Sequence, residues 1–259
     1  MPRILQIHFL PSLLDSKQLA GATAVIIDVL RASSTIITAL ANGATAVAPC
    51  SNPEEARAIR EQRPAGTTLL GGERGGVRID GFDYGNSPAE YSRERVADKL
   101  LSFTTTNGTR ALLSSRNAQT ILIGAFLNRA AIISRLKSES SAIHLVCAGT
   151  DGVITGEDVL FAGAVVDDLA GDSNADWILN DSAEIGRQFW RSTVSRLPNA
   201  QGTADQRIEA VLRTTRGGRN LCDLHYNSDI ALCSRNNVFN VIPQYEASQG
   251  LLRSESHNT

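Results

Sequence analysis

The sequence predicts an α/β protein: layered α/β/α around a largely parallel or mixed sheet built from βαβ-like units, with a mostly helical segment nearer the C-terminus. Three observations carry this. Short apolar runs such as Ala22-Thr23-Ala24-Val25-Ile26-Ile27-Asp28-Val29 read as strands covered on both faces. Each is followed by a loop of small or hydroxyl residues and then by helical apolar spacing, the rhythm of βαβ units. Beyond residue 175 the pattern changes, and Ile185, Phe189, Trp190, Val194 and Leu197 keep helical spacing instead.

In chain order, residues 3–9 alternate enough to open the sheet, and 22–29 follow as a buried strand carrying Asp28. Arg31-Ala32-Ser33-Ser34-Thr35 leads into a helix marked by Ile36, Ile37 and Leu40 and stopped at Asn42-Gly43. After a strand over 45–49, Asn52-Pro53-Glu54-Glu55 offers an N-cap, a proline at the first helical position and acid in the first turn. A short strand over 67–70 feeds a glycine-rich loop. A strand over 101–105 runs into Thr104-Thr105-Thr106-Asn107-Gly108-Thr109-Arg110 and a helix through Leu112. A strand over 120–124, a helix capped by Asn128, a strand over 142–147 and a helix over 157–169 complete the rhythm. Residues 42–47 and 117–122 align at a spacing of seventy-five, either as a weak internal repeat or as the ordinary α/β cadence.

These elements divide the chain into an α/β catalytic core over 1–175 carrying the motif loops, with a connector at its end, and a mainly helical segment over 176–235 with a turn at 199–203. A returning strand lies within 236–247, over 238–242 and closed by Pro243, and a polar tail over 248–259 is expected to fray.

The 259 residues carry 25 basic and 27 acidic side chains with no polybasic run, so nucleic acid is not the expected partner; a few arginines suffice for a small anion. No apolar run of about eighteen residues occurs and the start lacks an export signal, so a cytoplasmic protein without membrane association is expected. Cysteines 50, 147, 222 and 233 show no C-x-x-C spacing and read as reduced thiols. A homodimer is the default expectation for a soluble enzyme.

Residues 71–88 hold six glycines in eighteen positions. Ordering glycine costs more backbone freedom than ordering any other residue, so something must compensate. Among Glu73, Arg74, Arg78 and Asp83, the compensation is close backbone approach to a charged ligand. Ile79, Phe82 and Tyr84 argue for an ordered loop pinned to a core rather than a disordered linker.

Three other stretches share one plan, in which a buried strand ends, a loop of small residues follows and a helix begins: 28–35, 104–110 and 147–158. In a parallel sheet, carboxyl ends of neighbouring strands open on one crevice, where the glycine-rich loop would join them. Free N–H groups at helix starts bind phosphate or carboxylate, and Arg31, Arg74 and Arg110 add forked permanent charges. Asp28, Glu73, Asp83, Glu157 and Asp158 are hard oxygen donors at the same loops, suited to Mg2+. Taken singly, each has a blander reading: Asp28 as a cap, Thr104 to Thr106 as strand and cap residues, Glu157 and Asp158 as companions of a helix dipole. Their shared placement is what carries weight.

Spacing excludes several phosphatase chemistries. A cysteine phosphatase needs an arginine six positions after its thiolate, but Val153 follows Cys147, Ala56 follows Cys50 and Ser228 follows Cys222. Leu30 two positions after Asp28 breaks the Asp-x-Asp signature of aspartyl-phosphate hydrolases. Histidines 8, 144, 225 and 257 lack metal-ligand spacing, and neither a P-loop nor a dinucleotide fingerprint is present.

Together, residues 25–35, Gly72-Glu73-Arg74-Gly75-Gly76, residues 81–88, Thr104-Thr105-Thr106-Asn107-Gly108-Thr109 and Cys147-Ala148-Gly149 with Glu157-Asp158 resemble the 2-phosphosulfolactate phosphatase family, over residues 20–245. The resemblance implies a Mg2+-dependent phosphatase that removes phosphate from 2-phospho-3-sulfolactate on a route to coenzyme M, or from a related small anionic phosphorylated 2-hydroxy acid. On this reading Asp28, Glu73 and Asp158 hold Mg2+, and Asp28, Arg31, Glu73, Arg74 and Asn107 form the catalytic set. Substrate contacts are expected from Ser33, Ser34, Gly75, Gly76, Asn86, Thr105, Thr106, Gly108, Thr109, Arg110 and Gly149. A non-catalytic binding module, and a lyase or transferase acting on a similar phospho-acid, remain open on the sequence, as does whether Asp28 attacks phosphorus or binds metal.

Overall fold

The computed structural model describes residues 2–171, 176–195 and 202–254. The elements in order are β1 (Arg3–His8), β2 (Thr23–Ile27), α1 (Ala32–Ala41), β3 (Ala46–Pro49), α2 (Pro53–Glu61), β4 (Thr68–Arg74), β5 (Val77–Arg78), α3 (Arg93–Val96), β6 (Leu100–Thr104), α4 (Gly108–Ser114), β7 (Thr120–Gly124), α5 (Arg129–Lys137), β8 (Ile143–Cys147), α6 (Gly156–Ala170), β9 (Trp177–Leu179), α7 (Asp181–Trp190), α8 (Ala204–Thr214), α9 (Arg216–Asp223), α10 (Asn227–Cys233), β10 (Pro243–Glu246) and β11 (Leu251–Ser254).

One sheet runs through the described residues in the order β5-β4-β6-β3-β11-β10-β7-β2-β8-β1-β9. Strands β4, β6 and β3 form one parallel block, and β7, β2, β8, β1 and β9 form another. The β10–β11 hairpin joins them, antiparallel within itself and to both neighbours. Three antiparallel steps make the two blocks run in opposite senses. The joint is thin, with Gln244 opposite Leu122 on one side and Leu252 opposite Val47 on the other.

Across that joint the sheet wraps around α1. Ile26 and Ile123 from one block share a core with Val47, Leu101 and Phe103 from the other, and every residue from Ala32 to Leu40 is buried. The polar residues of this enclosed helix are satisfied by main-chain carbonyls. Ser34 Oγ donates to Val29 O at 2.8 Å, Thr35 Oγ1 to Asn86 O at 2.9 Å and Thr38 Oγ1 to Ser34 O at 2.8 Å. The opposite face carries α5 to α10, packed through Phe126, Phe161, Leu212, Leu221 and Ile230. No helix among the described residues is long and apolar enough to cross a membrane.

The α/β architecture is the expected one, and Asn52 caps α2 as expected, accepting from Glu55 N at 2.8 Å. Four local expectations need correction. Residues 238–242 form no strand: Val238 and Phe239 donate to Leu127 O, so the apolar run packs as extended chain without a ladder, and β10 begins at Pro243. A proline is tolerated there because the first residue of a strand can do without its N–H. The tail does not fray throughout, since β11 inserts between β3 and β10; residues 255–259 lie outside the described part. The glycine-rich stretch opens as strand, with β4 continuing through Gly71-Gly72-Glu73-Arg74 and turning at Gly75-Gly76 into β5. Gly72 makes this possible: its φ is +145°, and a Cβ there would sit 2.1 Å from Thr104 O. Asn128 stands at the N-cap of α5 but makes no side-chain cap bond there; its buried amide accepts from Ala125 N and donates to Ile123 O and Val241 O. The mainly helical segment also contains β9 at the sheet edge, and most of the expected connector and turn fall outside the described residues.

Candidate active site

A cavity of about 350 Å³ opens where the ends of the two blocks meet. Asp28 and Arg31 enter it after β2, Glu73, Gly75 and Gly76 from the β4–β5 hairpin, and Asn86 from the segment beyond. Thr106 and Asn107 follow β6, while Thr150 and Asp151 follow β8. Convergence was expected from strands sharing one carboxyl edge. They do not share one edge: β2 and β8 run opposite to β4 and β6, and the two sets of ends meet at the cavity across the core that encloses α1.

Asp28 is 9% exposed. Its Oδ1 accepts from Ala32 N at 3.3 Å, and its own N–H donates to Ser33 Oγ at 2.9 Å. Oδ2 lies against the first turn of α4, where a Cβ on Gly108 would come within 3.0 Å of it. Burial pushes the Asp28 carboxyl up to about 7; the Glu73 and Glu157 charges add to this, and the Ala32 N–H and Arg31 oppose it. Glu73 is pinned by two amides, Oε1 accepting from Thr106 N at 2.9 Å and Oε2 from Gly76 N at 2.7 Å, which locks the hairpin tip to the loop after β6.

Asp158 was expected beside the cation. It is buried but does not line the cavity. Oδ1 accepts from Val29 N at 2.9 Å, and Oδ2 accepts from Gly149 N at 3.0 Å and Thr155 Oγ1 at 3.4 Å. Its work is to hold the loops after β2 and β8 side by side. Burial, with Asp28 and Glu157 nearby, raises its carboxyl well above the usual range. Glu157, one residue earlier, is equally buried, and among the described residues its Oε2 has no hydrogen-bond partner. It fits against Gly217 of α9, where a Cβ would fall 2.0 Å from Oε1.

Arg31 follows a cis Leu30–Arg31 peptide and is fixed by Asp229, at 2.6 Å, and Gly76 O, at 2.8 Å. Asn86 lines the cavity with a buried Oδ1 that has no partner among the described residues. Several expected contact residues lie just behind the wall. Arg74 turns away to Glu73 O and Thr104 Oγ1. Ser33 and Ser34 bond main chain around α1. Thr105 and Thr109 border a separate void of about 20 Å³. Arg110 is exposed and donates to Asn107 Oδ1, and Gly149 serves Asp158. Asp83 accepts from Leu70 N and pairs with Arg60, away from the site.

The far wall comes from α9 and its end, through Gly217, Asn220, Leu221, Asp223 and Leu224. Sequence reasoning assigned these only to a helix, and the Gly217-Gly218 pair was the one local sign of a close approach.

Among the described residues no group of three or more His, Cys, Asp or Glu is arranged to hold a metal ion. Mg2+ asks for less, commonly taking one or two carboxylates and completing its shell with water and phosphate oxygens. The residues fit that requirement. Asp28 and Glu73 face one cavity and repel each other there, and among the described residues the buried Asn86 Oδ1 is an oxygen without a partner.

The family model described as 2-phosphosulpholactate phosphatase matches residues 8–248. A probable 2-phosphosulfolactate phosphatase of Symbiobacterium thermophilum is 36% identical over 237 residues, covering 92% of this chain and 97% of that protein. One from Pseudothermotoga lettingae is 37% identical over 242 residues, covering 93% and 96%, and one from Clostridium perfringens is 35% identical over 235 residues, covering 90% of each. A match of this length, over a chain whose motif loops gather at one cavity, means that the chain belongs to the 2-phosphosulpholactate phosphatase family of phosphoric monoester hydrolases.

Proposed function

We propose that the protein hydrolyses the phosphate ester of 2-phospho-3-sulfolactate, giving 3-sulfolactate and phosphate on a route to coenzyme M, and that it requires Mg2+. The observation that carries the reading is the charge of the cavity wall. Among the described residues, Asp28, Glu73, Asp151 and Asp223 face the space with Arg31 as the only cation of the wall. A phosphate dianion entering alone would be repelled, and a divalent cation on Asp28 and Glu73 would cancel their two charges and leave Arg31 free to attract it.

When bound, Mg2+ would neutralise phosphate charge and polarise the phosphoryl oxygens. Arg31 binds a phosphoryl oxygen through guanidinium N–H groups, and its rigid setting means little reorganisation as charge develops. Thr106 and Asn107, held by the bond from Thr106 N to Glu73, position the ester from the opposite side. Leu30, Leu221 and Leu224 cover the carbon skeleton and limit access of bulk water.

Phosphate release from a panel of 2-phospho acids, with and without a sulfonate, tests this in Mg2+ and in chelator. The expected result is Mg2+-dependent release, fastest from 2-phospho-3-sulfolactate, with the free 2-hydroxy acid as the second product. Tight binding without turnover, or any other product pair, contradicts it.

A further inference from the structure

Arg31 is held on one side by α10, through a residue that does not itself reach the cavity. Asp229 lies in α10, is 1% exposed and stands outside the cavity wall. Its Oδ2 accepts from Arg31 Nη1 at 2.6 Å and its Oδ1 accepts from Ser87 Oγ at 2.7 Å. Tyr226, one turn earlier, places its ring face 4.3 Å from the guanidinium carbon. Gly76 O takes Nη2 at 2.8 Å. The guanidinium is thus fixed in plane, in tilt and in rotation by groups from two distant parts of the chain, α10 with the residue before it and the hairpin tip at Gly76.

Stability alone does not account for this arrangement. Burying an ion pair costs desolvation, and well-packed apolar residues of similar volume are often as stable or more so. What the pair specifies is direction. A guanidinium has five N–H donors; one is bonded to Asp229 and one to Gly76, while the same side chain forms part of the cavity wall. A lysine could keep the charge but not the fork or the ring contact.

We infer that Asp229 is a positioning residue for the phosphate grip, acting through Arg31 and steadied by Ser87. The inference rests on the phosphoester reading above and extends it, because it makes α10 part of the binding machinery rather than a cover over the sheet. Removing the carboxylate while keeping the volume should let Arg31 swing and weaken phosphate binding even where the fold survives.

The test is calorimetric titration of inorganic phosphate, with Mg2+, into the full chain as wild type, Asp229→Asn, Ser87→Ala, Arg31→Met and the Asp229→Asn/Arg31→Met double variant, each checked for folding by circular dichroism. Asp229→Asn should raise Kd about tenfold, and the milder Ser87→Ala, which buries no unpaired charge, about threefold. In the Arg31→Met background, Asp229→Asn should add no further loss. A merely structural role would lower the melting temperature and leave Kd unchanged in folded Asp229→Asn and Ser87→Ala, and that overturns the inference; so does full additivity in the double variant. If Asp229→Asn does not fold, Ser87→Ala decides alone. Wild type that releases phosphate from esters while these variants bind phosphate normally defeats the inference and spares the reading. Wild type that neither binds nor releases phosphate defeats both.

Discussion

Asp28 and Asp158 make an instructive pair. Both are buried, both belong to motif loops, and burial raises the carboxyl of each. They differ in what their oxygens do. Asp158 is saturated by two main-chain amides and a hydroxyl from the loops it joins. Asp28 accepts one long bond from Ala32 N and presents the rest of its carboxylate to the cavity beside Glu73. Placement and hydrogen bonding together separate scaffold from site here: Asp158 stands behind the wall with three bonds on its two oxygens, whereas Asp28 lines the cavity with acceptor capacity to spare, and Glu73 lines it with one bond on each oxygen.

The largest effect should come from Asp28→Asn. Phosphate release is expected to fall on the order of 10³-fold, while the melting temperature stays level or rises because a repelled buried charge is gone. Full activity in Asp28→Asn would remove the distinction. Asp158→Asn should show the reverse pattern. One amide donor from Val29 or Gly149 would then face an NH2 group, costing about 1–3 kcal/mol in urea unfolding, with a much smaller loss of rate in folded protein. Rate loss matching that of Asp28→Asn, with no change in stability, would place Asp158 in the chemistry.

A region remote from the cavity sharpens the contrast. His8 Nε2 and His144 Nδ1 meet at 2.9 Å in stacked, buried rings. Burial, then the neighbouring His144, lowers His8 to about 4, and burial also lowers His144. These groups are neutral when folded and bind protons more readily when unfolded, so their contribution is complete above the ordinary histidine pKa of about 6.5 and declines as pH falls from there toward 4. Urea midpoints measured across that window should fall, and a His8→Leu variant should fall less steeply. Equal slopes would show that the pair does not set the acid limit. Smallest of all, Arg74→Ala should cost under about 1 kcal/mol and leave phosphate affinity nearly unchanged, because its guanidinium serves Glu73 O and Thr104.

That last case shows how far the sequence could be read. The charge at the end of the apolar run made Asp28 legible as a residue of the cavity wall, and the cluster of glycines did the same for Glu73. Glu73 and Arg74 were both expected in the site because the stretch was read as loop. It is strand, where successive side chains point to opposite faces, so one of the two had to turn away. Asp158 was placed correctly in the chain, but nothing local could reveal that the amides of Val29 and Gly149 claim its oxygens from 129 and 9 positions away. The α/β rhythm gave most strands, whereas β11 pairs with β3 across roughly two hundred residues, and its four residues carry no periodic signal of their own. The α9 wall and the Asp229 clamp were invisible for the same reason: they are tertiary contacts made by helices whose local pattern says only that they are amphipathic.

A crystal structure with Mg2+ and inorganic phosphate tests the central claim most directly. The expected structure has a cation ligated by Asp28 and Glu73, phosphate on Arg31, and Asp158 still bonded to the amides of Val29 and Gly149. A cation held by Asp158 with Asp28 outside its shell, or phosphate bound away from Arg31, would contradict it.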